Sequence, residues 1–294
     1  MTMKRIITIF AALALCGATA FAQNLEEATN ATKAANEALV AGNYDEAAAG
    51  FRAALDKAVA CNEAEAEELA NTCKTGLTQS IYAAANDLVK NNNLEQGLVK
   101  IEEAIAAAKE YGISEIEEKA TDLKYQIHQA IYNTKMKAAK AEKDAAAKAA
   151  YLKEALEQIE IVLANDPENG NLILSKGQVQ ESLGKYEEAI ATYTIAKEKG
   201  LQDKASRMIS KVYLKIAQAK MKAGDLPAAI EYAKKSNEES PNANACKIAG
   251  ISAQKLKDYK TAVAYLQKYL ELAPSAKDAD QIKTAIDALK AQIK

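Results

Sequence analysis

The fold is decided by a pattern shared by three short stretches: GKYEEAI (residues 184–190), GDLPAAI (224–230) and KDYKTAV (257–263). We read the first residue of each stretch as a tight turn; a large side chain follows two positions later and alanine five positions later. Because positions three apart lie on one face of a helix, these two residues point the same way. The pattern predicts a tight turn followed by a helix that approaches another helix closely at its alanine.

The same spacing recurs along the rest of the chain, where six turns can be aligned. We place these turns at Gly42, Asn92, Ala150, Gly184, Gly224 and Lys257. Five positions after them lie the small residues Ala47, Gly97, Ala155, Ala189, Ala229 and Ala262. Nine positions after them lie the predicted core residues Phe51, Ile101, Ile159, Tyr193, Ala233 and Leu266.

Two further features mark the helices on either side of each turn. Seven positions before five of the turns lie the small residues Ala35, Ala85, Gly177, Ala217 and Gly250. The third unit has Lys143 at that position instead. Seventeen positions after three of the turns lie Pro167, Pro241 and Pro274, which cannot continue a helix. Each unit is therefore predicted to be a helix, a tight turn, a second helix and a breaker.

These stretches resemble the turn and the second helix of the tetratricopeptide repeat. The turns at Ala150 and Gly184 are 34 residues apart, and those at Gly224 and Lys257 are 33 apart, against a family period of about 34. The resemblance is strong from about residue 150 onward and weaker before it. It implies an all-α, tetratricopeptide-like solenoid of about six helical hairpins with a C-terminal capping helix.

The first half of the chain departs from this period, because its first three turns are 50 and 58 residues apart. We expect the surplus to lengthen two first helices, over residues 64–90 and from 114 to about 147, since neither segment contains proline. Ser114 and Glu117 have the spacing of a capping box. Residues 137–150 are rich in Ala and Lys, which favours a helix over a flexible linker.

These patterns divide the chain into a signal peptide (1–22), divergent hairpins with lengthened helices (23–147), regular repeats (148–274) and a capping helix (275–294). The capping helix is expected to start near Ser275, with Asp278 placed to cap it. Its predicted apolar side consists of Ile282, Ile286, Leu289 and Ile293. One apolar side and one Lys-rich side are what the last helix of a stack requires.

The first 22 residues have the features of a secretory signal peptide. Lys4 and Arg5 precede an apolar run at residues 6–15, which is too short to cross a hydrocarbon core of about 30 Å. Alanine stands three and one positions before Gln23, as signal peptidase requires. We expect the mature protein to begin at Gln23 and to be periplasmic.

An alternative makes Cys16 a lipid-modified N-terminus, because residues 13–16 resemble a bacterial lipobox. Leu15 occupies the position at which that motif has a small residue, so cleavage before Gln23 is preferred. After cleavage, no later stretch approaches the roughly 18 apolar residues of a transmembrane helix.

Composition and motifs argue against several functions. The mature chain has 36 basic and 40 acidic side chains, so no nucleic-acid partner is predicted. His128 is the only histidine of the sequence, which also lacks Cys-x-x-Cys pairs and glycine-rich phosphate loops. We therefore predict no catalytic or metal site, no cofactor and no enzyme activity. Cys61, Cys73 and Cys246 are expected to be free, buried side chains.

The exposed surface of the first helices remains as the candidate site, since first helices line the concave side of such a stack. The side chains predicted there are Asn36, Tyr82, Asn86, Gln178, Lys211, Lys215, Gln218, Lys222, Lys247 and Lys255. Amides can donate and accept hydrogen bonds, which suits a peptide backbone, and lysines suit an acidic segment. The alternative, that these residues are simply solvated, stays open.

The sequence thus favours a non-catalytic periplasmic scaffold or adaptor that binds a protein or peptide, acidic in charge, in its groove. The family resemblance implies the same kind of partner, since tetratricopeptide repeats often bind peptides there. The alternative is a carbohydrate-binding protein or an enzyme accessory subunit in surface nutrient uptake. Exposed aromatic platforms would favour that alternative, and Tyr82 is the main candidate for one.

The expected processing can be tested on the exported protein. Its intact mass should correspond to residues 23–294, because the two alanines before Gln23 suit the peptidase. A diacylglyceryl group on Cys16 would contradict this prediction.

Overall fold

The structure is a computed structural model that describes residues 23–61 and 64–293. The predicted signal peptide and Cys16 lie outside the described residues. The described chain is helical and without strands, which confirms the all-α fold class. Its helices are α1 (residues 23–40), α2 (Tyr44–Val59), α3 (Ala64–Lys90), α4 (Leu94–Tyr111), α5 (Ser114–Ala141), α6 (Ala145–Asn165), α7 (Gly170–Ser182), α8 (Tyr186–Ala196), α9 (Gln202–Lys222), α10 (Leu226–Glu239), α11 (Ala243–Lys255), α12 (Tyr259–Leu272) and α13 (Ala279–Lys290).

Successive helices are joined by short turns into the hairpins α1/α2, α3/α4, α5/α6, α7/α8, α9/α10 and α11/α12, and α13 packs on α12. A kinked turn at Lys197–Leu201 joins α8 to α9. The chain forms two compact units, unit 1 (Met1–Ile131) and unit 2 (Tyr132–Lys294), and α5 contributes to both. The predicted segment boundary between residues 147 and 148 stays a prediction.

Five of the six predicted turns lie where the spacing places them. Gly42, Gly184 and Gly224 have φ of 83°, 76° and 82°. Asn92 and Lys257 occupy the same left-handed region, with φ of 61° and 62°. A residue in this conformation commonly ends a helix, and glycine adopts it at the least steric cost. The spacing therefore located the point at which each of these hairpins reverses.

The turn predicted at Ala150 is wrong, because this residue lies inside α6. The chain reverses at residues 142–144, where the Asp144 side chain accepts a hydrogen bond from the Ala147 N–H (2.8 Å). The continuous helix predicted over residues 137–150 is interrupted there as well. Alanine has the highest helix propensity, so α6 extends back through the Ala-rich segment to this cap. The core face of α6 is as predicted, with buried Leu152, Ala155 and Ile159.

The lengthened first helices are confirmed, as α3 and α5 contain 27 and 28 residues, although α5 ends at Ala141 and not near residue 147. The capping box predicted at Ser114 is not formed. Ile113 occupies the capping position, because the Glu117 N–H donates to the Ile113 carbonyl oxygen (3.1 Å).

The final helix begins at Ala279, four residues after the predicted start at Ser275. Asp278 precedes it, but its carboxylate makes no capping hydrogen bond. The carboxylate accepts the Tyr269 hydroxyl proton (2.5 Å) and forms an ion pair with Lys247. The predicted apolar side of α13 packs inward, with Ile282, Ile286 and Leu289 buried and Ile293 partly buried.

The small residues of the pattern lie where helices meet. A methyl group added to Gly177 would come within 2.5 Å of a ring carbon of Tyr193, on the opposite helix of the same hairpin. One added to Gly250 would come within 2.7 Å of the Leu266 side chain in the last hairpin. The six residues nine positions after the aligned turns are all buried, namely Phe51, Ile101, Ile159, Tyr193, Ala233 and Leu266. Small and large residues thus fit together at each crossing.

Unit 2 also contains buried hydroxyl groups, and they differ in their hydrogen bonding. The Ser236 hydroxyl donates to the Ser210 carbonyl oxygen (2.8 Å) and lies 3.1 Å from the Ser210 hydroxyl oxygen. The Ser252 hydroxyl is buried without a hydrogen-bond partner among the described residues. A buried hydroxyl without a partner lowers stability, because its lost hydration is not replaced.

Replacing these two serines by alanine should change stability in opposite directions. Ser252→Ala should raise the free energy of unfolding by about 1 kcal/mol, whereas Ser236→Ala should lower it by about 1 kcal/mol. The change in helix propensity is the same for both, so it cancels in the comparison. Urea denaturation followed by circular dichroism measures both effects. Equal destabilisation by the two substitutions would contradict the prediction.

Candidate functional site

In unit 1, α1 and α3 enclose an open cleft of about 930 Å³. Its walls carry hydroxyl and amide side chains. Helix α1 contributes Thr29, Thr32 and Asn36, and helix α3 contributes Thr72, Thr75 and Gln79. The two rows have the same spacing, Thr-x2-Thr-x3-amide, which places the three side chains of each row along one face of a helix. We call these six residues the Thr–amide rows.

The extra length of α3 provides one wall of this cleft. Thr72 and Thr75 lie in the N-terminal half of α3, and Asn92 marks the turn that ends the helix. The floor includes Phe51 of α2, whose ring lies so close to Gly76 that an added methyl group would come within 2.5 Å of it. Gly76 is thus the residue that allows α3 to pass over the ring.

The threonine hydroxyls of the rows are already committed as donors. Thr29 donates to the Leu25 carbonyl oxygen (2.8 Å), and Thr72 and Thr75 donate to the carbonyl oxygens four residues before them (3.0 Å each). Because a carbonyl oxygen has no proton to give, the hydroxyl must be the donor in each bond. These three hydroxyl oxygens are exposed and can only accept further hydrogen bonds.

Thr32 lies deeper, where it contacts the buried Cys73. The Thr32 hydroxyl donates to the Ala28 carbonyl oxygen (2.8 Å), so the Cys73 thiol is the donor across the 3.1 Å contact between Thr32 Oγ1 and Cys73 Sγ. Burial raises the pKa of the Cys73 thiol, which keeps it protonated for this role. Cys61, Cys73 and Cys246 are all buried, as predicted, and form no disulfide within the described chain.

The structure distributes the predicted groove residues between both units. In unit 1, Asn36 lines the cleft, whereas Tyr82 and Asn86 lie further along α3 and are half-buried. Tyr82 packs against the core of this unit, so its ring is only partly exposed. The other predicted residues lie in unit 2, with Gln178 on α7, Lys211, Lys215, Gln218 and Lys222 on α9, and Lys247 and Lys255 on α11.

Two of the predicted groove lysines form ion pairs within the protein. Lys215 of α9 contacts Glu181 of α7, with Nζ 2.6 Å from Oε1 of the carboxylate. The other carboxylate oxygen, Oε2, accepts the Tyr193 hydroxyl proton (3.0 Å). Burial is the main cause that raises the pKa of Tyr193, and the negative charge of Glu181 raises this pKa further. The phenol therefore stays protonated. This carboxylate joins two successive first helices.

Asp278 has a similar role at the end of unit 2. Its carboxylate binds Lys247 of α11 and the hydroxyl of Tyr269, and Lys247 Nζ lies 5.5 Å from the centre of the Tyr269 ring. The hydrogen bond from Lys247 has the largest effect in lowering the pKa of Asp278, and the hydrogen bond from the Tyr269 hydroxyl lowers this pKa further. In contrast, Lys211, Lys222 and Lys255 are exposed and pair with no carboxylate in the described chain. Their charge is available to a partner.

Of the Thr–amide rows, the predicted groove residues include only Asn36, although the sequence contains a signal for the other five. The rows are separated by 43 residues, and a search at the repeat period of about 34 does not align them. A search for threonine and amide side chains at positions i, i+3 and i+7 would have found both. Glu67 and Glu68 also lie at this cleft.

The described residues include no cluster of three or more His, Cys, Asp and Glu side chains that could hold a metal ion. His128 is buried within α5. None of the described helices combines the length and the apolar composition that a membrane-spanning helix needs.

Comparison with known proteins identifies the repeat. Residues 142–203 and 214–279 match the model of the tetratricopeptide repeat. No curated protein sequence matches the chain.

Several solved structures resemble the chain at low sequence identity. MamA (residue 41 to the end) from Desulfovibrio magneticus is 16% identical, with 58% of this chain and 97% of that chain covered and a TM-score of 0.36. YrrB, described as a tetratricopeptide-repeat protein with an unusual peptide-binding site, is 19% identical, with 70% and 91% covered and a TM-score of 0.32. The C-terminal part of a repeat-containing protein from Cytophaga hutchinsonii is 16% identical, with 85% and 98% covered and a TM-score of 0.39.

The family match covers the stretches in which the turn, the small residues and the breaking prolines recur, and the helices of those stretches pair as the pattern requires. Over residues 142–203 and 214–279 the chain therefore consists of tetratricopeptide repeats.

Proposed function

We propose that this protein is a non-catalytic periplasmic scaffold that holds an acidic segment of a protein partner on the first helices of unit 2. The observation that carries the proposal is the exposed face of α9, where Lys211, Gln218 and Lys222 lie uncovered by other described helices. The tetratricopeptide family supports a protein or peptide as the partner. Export is supported by the features of the first 22 residues.

Neighbouring first helices of unit 2 contact one another beside this face. The ion pair between Lys215 and Glu181 brings α9 against α7, and α9 also contacts α11. Gln178 and Gln218, on neighbouring first helices, supply amides that can bond a peptide backbone in both directions. The surface thus offers backbone recognition together with positive charge.

The ion pairs limit which lysines can attract the partner. Lys215 and Lys247 are neutralised locally, so an acidic segment would first have to displace Glu181 or Asp278. Lys211, Lys222 and Lys255 carry the proposal instead, since their charges are uncompensated. Exposed charges mainly accelerate encounter and are screened over about 8 to 10 Å at 0.1 to 0.15 M salt.

The test begins with a partner captured from the envelope fraction of the source cell by the protein beginning at Gln23. Its affinity is then measured for the variant Lys211→Glu, Lys222→Glu, Lys255→Glu. We expect a loss of affinity of about tenfold or more at low salt, because three attractive charges become repulsive. The loss should shrink at high salt.

The matched control reverses Lys234, Lys260 and Lys268, which are exposed lysines on second helices. They pair with no carboxylate in the described chain, so both triple variants change the net charge equally and break no ion pair. The control should bind within about twofold of the unaltered protein. Equal affinities for the two triple variants would rule out the first-helix surface as the binding site.

A further inference from the structure

The cleft of unit 1 has hydrogen-bonding properties that differ from those of the unit 2 surface. Thr29, Thr72 and Thr75 present hydroxyl oxygens that can only accept, because their protons are bound to backbone carbonyls. Asn36 and Gln79 have side-chain amides that make no hydrogen bond within the described chain, and each adds one more acceptor oxygen beside its donors. A ligand rich in hydrogen-bond donors satisfies this set best.

The charges at the cleft favour the same kind of ligand. Glu67 and Glu68 bring two carboxylates, and Lys33 brings one ammonium group. Both glutamates are exposed and have no ion-pair partner in the described chain. Their negative charge is therefore available to a cation, in contrast to Glu181 and Asp278, which are neutralised in unit 2.

The size and the floor of the cleft suit a short stretch of peptide. Its volume of about 930 Å³ continues past Thr29 and Thr72 into a further hollow of about 310 Å³ that reaches Leu25. Pockets that bind drug-sized ligands have volumes of roughly 300 to 1,000 Å³, and the volume of this cleft lies within that range. Leu39 and Leu69 add apolar surface along which the methylene stem of a lysine or an arginine can lie while its charged end stays at the rim.

We propose that the α1/α3 cleft binds a basic segment of a protein partner, whose N–H groups meet the hydroxyl and amide oxygens of the Thr–amide rows and whose charge meets Glu67 and Glu68. This site goes beyond the function proposed for unit 2, since it lies outside the matched repeats and selects the opposite charge.

Fluorescence anisotropy with synthetic peptides tests the proposal without knowledge of the natural partner. Three end-blocked nonapeptides of Gly and Ser are compared, carrying three lysines, three glutamates or no charge. The protein comprising residues 23–294 should bind the lysine peptide at least about tenfold more tightly than the other two. The variant Lys211→Glu, Lys222→Glu, Lys255→Glu should bind it as the unaltered protein does, because those residues belong to unit 2.

Variants then locate the binding. Thr72→Val with Thr75→Val keeps the β-branched shape and removes two acceptors, which should weaken binding of the lysine peptide about tenfold. Glu67→Gln with Glu68→Gln should weaken binding and flatten its salt dependence.

Matched controls are available in unit 2. Thr194→Val removes an exposed hydroxyl that also donates to a carbonyl four residues earlier (2.9 Å). Glu157→Gln with Glu187→Gln removes two exposed carboxylates without ion-pair partners in the described chain. Neither control should change the affinity.

Three results would overturn the proposal: no preference for the lysine peptide, unchanged affinity in both cleft variants, or displacement of the peptide by equimolar spermidine. The last would show that the protein recognises a free polyamine and not a peptide. None of these results bears on the unit 2 site, whose test depends on different residues and on a captured partner.

Discussion

The fold depends on the close approach of the two helices within each hairpin. That approach requires a small residue on one helix at the point where a large one enters from the other. The contact between Gly177 and Tyr193 leaves no room for a methyl group, and the one between Gly250 and Leu266 is almost as tight. Because each hairpin buries its apolar residues at this crossing, the outer face of the first helix is left for other contacts.

The use of that outer face differs with the spacing of the repeats. In unit 2, a separation of 34 residues sets Lys215 beside Glu181, so part of the charge of the first helices holds successive hairpins together. In unit 1, the longer α3 sets Thr72 and Thr75 across a cleft from α1. The lengthened α3, which departs from the repeat period, thus supplies one wall of this cleft.

Spacing alone predicted the helical hairpins, five of the six turns and the buried face of the second helix in each hairpin. These features follow from the positions at which small and large residues recur. The third turn was wrong because a single side chain, Asp144, sets the start of α6, and the Ala-rich segment after it is helical in any register. The ion pairs of Lys215 and Lys247 depend on side-chain conformations that spacing does not determine. Apart from Asn36, the residues of the cleft were missed because its two rows are 43 residues apart.

The stability of three alanine-to-leucine variants tests the close-approach constraint most directly. Ala189 and Ala229 are fully buried at helix crossings, whereas Ala191 is exposed on the same helix as Ala189. Ala189→Leu and Ala229→Leu should each lower the free energy of unfolding by about 1 to 3 kcal/mol, because the added atoms overpack the crossing. Ala191→Leu should change it by less than about 0.5 kcal/mol. Equal urea midpoints for all three variants would contradict the account.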